Sequence, residues 1–178
     1  MKWLGCVGVL LVGLFIIGGL AVPAVRMVHE LGRRDECCGH LHLLDLAINQ
    51  YRSSHSNFPT RLSQLTECTA VTGRGLTPTE FICPGSDTKP GSLTKVDLWT
   101  DYILIIDLNG SHSNDTPLIL CTSENHFGRG ICALERNGSP LWLDESNLFD
   151  RLYSDTNLEI VVSEALTKRS KGRYRSRP

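Results

Sequence analysis

Trp3 to Val25 is a run of 23 residues with no charged or strongly polar side chain, and it constrains the chain more than any other feature. As a helix rising 1.5 Å per residue it would span about 34 Å, against a hydrocarbon core of ~30 Å. A soluble core helix rarely needs so long a charge-free stretch. A cleaved signal peptide is the rival reading, but its apolar region covers roughly 7–15 residues and ends at a small-residue site. Here the run is longer, and Pro23, Val25 and Arg26 make a poor cleavage end. Residues 1–28 therefore read as a transmembrane anchor with the lipid bilayer as partner. Gly18-Gly19 and Pro23 are expected to loosen the far end of that helix, since both residue types weaken a helix interior.

The helix is expected to continue beyond the anchor. Leu41, Leu44, Ile48 and Tyr51 step by three, four and three, which places them on one helical face. Arg33, Arg34, Asp35 and Glu36 form a polar collar ahead of that stripe. Ser53-Ser54 and Asn57-Phe58-Pro59 then supply the stop. The expectation is one helix over about residues 3–52, with 29–52 as its amphipathic half.

Beyond Pro59 the chain turns to short signals. Leu62 and Leu65 suggest a short helix, and residues 69–100, rich in Gly, Thr, Ser and Pro, read as a long loop with little core. Tyr102–Ile106, Leu118–Cys121, Ile131–Leu134 and Leu141–Leu143 are strand candidates, with a Gly/Ser/Asn loop at 109–115. Asn137-Gly138 between the last two strands is a hairpin signal, because both residues tolerate positive φ. Asp144 or Ser146 should cap a helix over about 145–153, and residues 156–167 read as another amphipathic helix. The fold class expected is α+β, a long N-terminal helix on a small antiparallel sheet. The globular domain is assigned to residues 29–167.

Charge separates one further segment. The chain carries 18 basic and 19 acidic residues, for a net charge of −1. Six of the basic ones are Lys168, Arg169, Lys171, Arg173, Arg175 and Arg177, leaving 12 against 19 acidic residues in 1–167. Residues 168–178 read as a basic disordered tail, for which anionic lipid headgroups are an alternative role. With only Tyr174 among the basic residues for stacking, nucleic acid is not expected as a partner.

Seven cysteines invite a search for chemistry. Cys6 falls in the apolar run, which leaves an even six. In an oxidising compartment these permit disulfides, with Cys121–Cys132 and Cys68–Cys83 the pairings to try first; buried free thiols acting as small hydrophobes are the equal alternative. Cys37, Cys38, His40 and His42 are the tightest group of ligand types, and Cys38 and His42 share a helical face at i,i+4. A structural metal site needs four ligands, usually as two spaced pairs, and no second pair is visible, so no metal site is assigned. His126 reads first as a loop histidine. Phosphate-binding glycine loops, His-Glu-x-x-His and Gly-x-Ser-x-Gly are all missing from the sequence. No catalytic residue, cofactor or small-molecule substrate is therefore expected, and the chain reads as a non-enzyme.

Several segments taken in order resemble a known group. Leu20-Ala21-Val22-Pro23-Ala24-Val25, Arg33-Arg34, Cys37, the helix from Leu44 to Tyr51, and Phe58-Pro59 resemble the start of bacterial type II pseudopilin-like proteins. The closest likeness is to the group whose C-terminal signature is His, nine residues, then Asp-Gly. Phe81-Ile82-Cys83-Pro84-Gly85-Ser86-Asp87 resembles that group's Cys-Pro-Ser-Asp stretch. Asn125-His126, Gly130 and Leu141-Trp142-Leu143 resemble its closing hairpin. The chain departs in two places. Only Met1-Lys2 precedes the apolar run and Cys6 stands near the position of the group's Glu, so the leader-peptidase site is expected to be missing. Asn137-Gly138 replaces Asp-Gly, and ten residues rather than nine separate it from His126.

The resemblance implies a pilin-like structural or assembly protein, partnered by like or related chains beside a type II secretion-like apparatus. The alternative is an extracytoplasmic binding or thiol-redox module on the same anchor. For topology, Lys2 and the amino terminus against Arg26, Arg33 and Arg34 favour a cytoplasmic C-terminal part. The resemblance implies the reverse, and the cysteines suit an oxidising compartment. The expectation is a single-pass inner-membrane protein with its globular part outside the cytoplasm.

Overall fold

The computed structural model describes residues 2–68, 73, 75–107, 117–126, 130–143, 158–161 and 163, and within the first helix it describes side chains at 18, 19 and from 21 onward. That helix, α1, runs Lys2–His55, 54 residues or roughly 81 Å, as one uninterrupted element. It extends a little past the expected end at 52 and passes straight through Pro23. Proline removes one backbone bond, and the flanking turns hold the helical path.

Among the described residues, no helix is long and apolar enough to cross a membrane. This overturns the expected single-pass inner-membrane placement. From Arg26 onward charges recur along α1 at Glu30, Arg33, Arg34, Asp35 and Glu36, so this part of the helix has no charge-free length to offer a bilayer.

Among the described residues five antiparallel strands follow: β1 Tyr102–Asp107, β2 Pro117–Cys121, β3 Ile131–Glu135, β4 Pro140–Leu143 and β5 Leu158–Val161. Their order in the sheet is β4-β3-β2-β1-β5. The first four match the apolar runs expected as strands. Asn137-Gly138 makes the turn between β3 and β4. Gly138 sits at φ 85°, and its N–H donates to the Glu135 carbonyl at 3.0 Å.

β5 corrects the sequence reading, which put residues 156–167 in a helix. Ile160 and Val161 are β-branched and lose side-chain freedom in a helix, and the outer edge of β1 presents unpaired backbone groups. Pairing Leu104 with Val161 and Ile106 with Glu159 satisfies that edge. The helix expected over 145–153, the loop over 109–115 and the tail over 168–178 lie outside the described residues. So does most of the 156–167 segment around β5.

The stripe on α1 packs on the sheet through β3 and β4. Cys37, Leu41, Leu44, Ala47 and Ile48 are buried on that face and meet Ile131–Leu134, while Tyr51 lies at its half-buried end. The segment expected to be a loop with little core also contributes. Within it a 3-10 turn over Pro78–Phe81 and a short helix α2, Val96–Trp99, bury Phe81 and Val96, and Cys83 is buried between them; ahead of it, the short helix expected at Leu62 and Leu65 is a 3-10 turn over Leu62–Glu67 that buries both. Short 3-10 turns do not announce themselves by periodicity, which is why the segment reads as loop.

Candidate functional site

The seam between α1 and the sheet gathers an unusual set of side chains. Cys37 comes from the buried face of α1, and Cys121 and Cys132 from the neighbouring strands β2 and β3. His126 ends a 3-10 turn over Ser123–His126. One ligand atom from each of Cys37, Cys121, His126 and Cys132 lies within 4.8 Å of every other, and all four residues are buried.

Cys83 reaches the same place from the loop after the Pro78–Phe81 turn. Its Sγ is 3.6 Å from Cys37 Sγ and 3.2 Å from His126 Nε2. Two local features bring it there. The Cys83 N–H donates to Asp101 Oδ2 at 3.3 Å, anchoring the loop to the start of β1. Gly85 then lies against the turn that carries His126, so tightly that an added Cβ would stand 1.7 Å from the Asn125 carbonyl oxygen. Only glycine permits that backbone approach.

His126 is fully buried and engaged on three sides. Nε2 faces Cys83, Nδ1 lies 3.1 Å from Glu30 Oε1, and the ring meets Trp142 edge-on with centroids 5.1 Å apart. Glu30 is itself buried, and its second oxygen has no hydrogen-bond partner among the described residues. The Arg34 guanidinium covers the Trp142 ring, 4.4 Å from its centroid. Tyr102, under the cluster, donates to the Ile82 carbonyl at 3.4 Å and touches Cys37 Sγ at 3.7 Å.

The thiols share protons unevenly. Hydrogen bonds with Cys121, Cys132 and Cys83, together with burial, push Cys37 far above the ordinary thiol range. Burial likewise drives Cys121 up. Hydrogen bonds from Cys121 and Cys37 hold Cys83 far down, with His126 adding to the effect. Hydrogen bonds from Cys121, Cys37 and Cys38 do the same for Cys132. Burial works against a charged His126, but the hydrogen bond and charge of Cys83, followed by Cys132 and Glu30, carry it above its usual value. Soft sulfur donors and an imidazole converging in a dry core are the ligand chemistry of borderline and soft metals.

The structure redistributes the residues singled out in the sequence. Of Cys37, Cys38, His40 and His42, only Cys37 enters the cluster. Cys38 is half-buried at its edge with Sγ 2.9 Å from Cys132 Sγ, His40 Nδ1 bonds the Ile82 carbonyl at 2.9 Å, and His42 is exposed. All six described cysteines are free thiols. The suggested Cys68–Cys83 bridge is not made, because Cys83 points into the cluster and Cys68 lies outside it. Cys121 and Cys132 are neighbours, with the Cys132 N–H donating to Cys121 Sγ at 3.1 Å, yet they are not bonded. Facing positions on paired strands hold Cβ atoms about 4.5–5.5 Å apart, mostly wider than the ~3.8 Å typical of a disulfide.

Among the residues quoted for the resemblance, Cys37, Cys83 and His126 meet at this site and Trp142 packs on it. Pro84 follows Cys83 in the anchored loop. Pro23 lies within α1, Tyr51 stacks on His55, Pro59 is buried beyond the helix end, and Asn137 with Gly138 forms the distant turn. Glu30, Asp101 and Tyr102 were not legible as site residues. Asp101, just ahead of β1, is fully buried and also accepts from Thr88 Oγ1 at 2.5 Å. No family model, curated protein or solved structure matches the chain.

Proposed function

We propose that this chain is a non-enzymatic assembly subunit of pilin-like build, an α+β head on a long helix that packs side by side with a second copy or a related chain. The observation that carries the reading is the surface of α1 ahead of the sheet. Val22, Val25, Met27, Val28 and Leu31 are 49–68% exposed, five large apolar side chains within ten residues. Scattered exposed apolar residues need no explanation, but a contiguous set on a regular helix is the signature of an association surface. The apolar sheet-packed face of the same helix begins further on, at Cys37, while Glu30 and Arg34 between the two already reach His126 and Trp142.

Site-specific photo-crosslinking of the full reduced chain tests this. A crosslinker replacing Val28 should give discrete dimers, while one replacing Leu98, an exposed residue of the head, should not. Crosslinking at both positions alike, or at neither, refutes the assembly reading. A thiol-redox role is the second reading, favoured by the 2.9 Å approach of half-buried Cys38 to Cys132. It requires turnover of a small disulfide by the reduced chain, which an assembly subunit does not.

A further inference from the structure

We infer that Cys37, Cys121, Cys132 and His126 hold a single dication of the zinc class, with Glu30 positioning His126 and Cys83 standing beside the shell as a fourth sulfur. This is independent of how the chain associates. Three features of the cluster argue for it.

The first is geometry. Zinc bonds of about 2.3 Å to sulfur and 2.0–2.1 Å to nitrogen give a compact tetrahedron of ligand atoms. The four ligand atoms already lie within 4.8 Å of one another. Their approach is set by the backbone, since β2 and β3 place two sulfurs side by side and α1 lays a third across them.

The second is the histidine. Thiols can be buried as small hydrophobes, whereas a fully buried imidazole needs a polar partner at each nitrogen. Glu30 supplies the reason for its orientation. A carboxylate only accepts, so Nδ1 keeps its proton for Glu30 Oε1 at 3.1 Å and Nε2 is left to face the sulfurs. A carboxylate behind the non-ligating nitrogen is the outer-shell arrangement that fixes a metal-binding histidine. When the ion binds, Nε2 and the three sulfurs bond it as neutral imidazole and thiolates, and their protons pass to solvent.

The third is enclosure. All four ligands are buried, which is the character of a structural site rather than a catalytic one. The ion would tie α1, β2, β3 and the 123–126 turn together at one point.

Cobalt(II) titration of the full chain, kept reduced, gives the test. One equivalent should produce the strong ligand-field bands of tetrahedral cobalt with sulfur-to-cobalt charge transfer, and zinc should displace it. Zinc should also raise the thermal unfolding midpoint, and a chelator should reverse the rise. Cys132→Ser should weaken cobalt binding at least tenfold and reduce the charge-transfer intensity. Glu30→Gln should keep the tetrahedral spectrum while weakening binding about 10–100-fold, as outer-shell losses do. Cys83→Ser should retain one equivalent. Cys68→Ser, at a buried thiol outside the cluster, should leave the cobalt affinity and charge-transfer spectrum unchanged. A wild-type chain with no tetrahedral thiolate spectrum and a midpoint indifferent to zinc overturns the inference, whatever the variants do. So does a Cys68→Ser effect as large as that of Cys132→Ser, or acid-labile sulfide, which would signal an iron–sulfur cluster instead.

Discussion

Leu44 and Leu46 sit two residues apart on α1 and differ almost only in what they face. Leu44 is fully buried against the sheet, whereas Leu46 is 37% exposed. Replacing either by alanine makes the same small change in helix propensity, slightly in favour of the helix. The difference between the two variants therefore isolates burial. Leu44→Ala removes the transfer free energy of the side chain and leaves a cavity in the α1–β3 seam, together about 3–5 kcal/mol for a fully enclosed leucine. That is a large part of the 5–15 kcal/mol that holds a typical domain folded. For a chain of this size each kcal/mol moves the midpoint by about 2–4 °C, so the expected fall is roughly 6–20 °C. Leu46→Ala should stay within about 0.5 kcal/mol of wild type. Urea unfolding of the reduced full chain, followed by circular dichroism and tryptophan fluorescence, measures both. Equal losses, or a larger loss at Leu46, would mean that the 37–41–44–48 face does not pack on the sheet.

A glycine pair gives a sharper contrast. Gly85→Ala drives a Cβ into the Asn125 backbone, which cannot swing aside as a side chain could, and should cost more than about 3 kcal/mol; Gly39→Ala, on α1 with nothing within 4 Å of the new atom, should instead stabilise by about 0.5–1 kcal/mol in the same urea assay. Asp45 predicts a pH effect. Burial pushes its carboxyl above the usual range, against the opposing pull of His42, the Asn49 hydrogen bond and Arg52. A raised folded-state value favours the fold below the unfolded carboxyl value of about 3.9, and that contribution is lost as pH rises through the folded-state value. Asp45→Asn should thus be more stable than wild type at pH 7, with the gap closing below about pH 4; a gap that widens on acidification would refute the sign.

Local pattern was enough for the elements that bury one face at a regular period. The Leu41–Leu44–Ile48 stripe specified a helix, the four apolar runs specified β1 to β4, and Asn137-Gly138 specified the turn between the last two. Each signal lies within a dozen residues, because a helix face repeats every 3.6 residues and a hairpin turn depends on its own φ angles. Where two periods compete over a short run, as at Leu158–Val161, the sequence was ambiguous, and the free edge of β1 decided for a strand.

The cluster was legible only in its parts. Cysteines and a histidine were countable, and the vicinal Cys37-Cys38 drew attention to the wrong histidines nearby. Which of them meet was decided by tertiary structure: by the α1 face that turns Cys37 inward and leaves Cys38 at the edge, by the β2–β3 pairing that sets Cys121 beside Cys132, and by the Gly85 contact that brings Cys83 to His126. Hydrophobic burial is satisfied by any residue of suitable shape and so leaves a periodic trace in the sequence. A converging set of donors needs particular atoms at particular distances from segments far apart in the chain, and only the packed fold brings those segments within reach of one another.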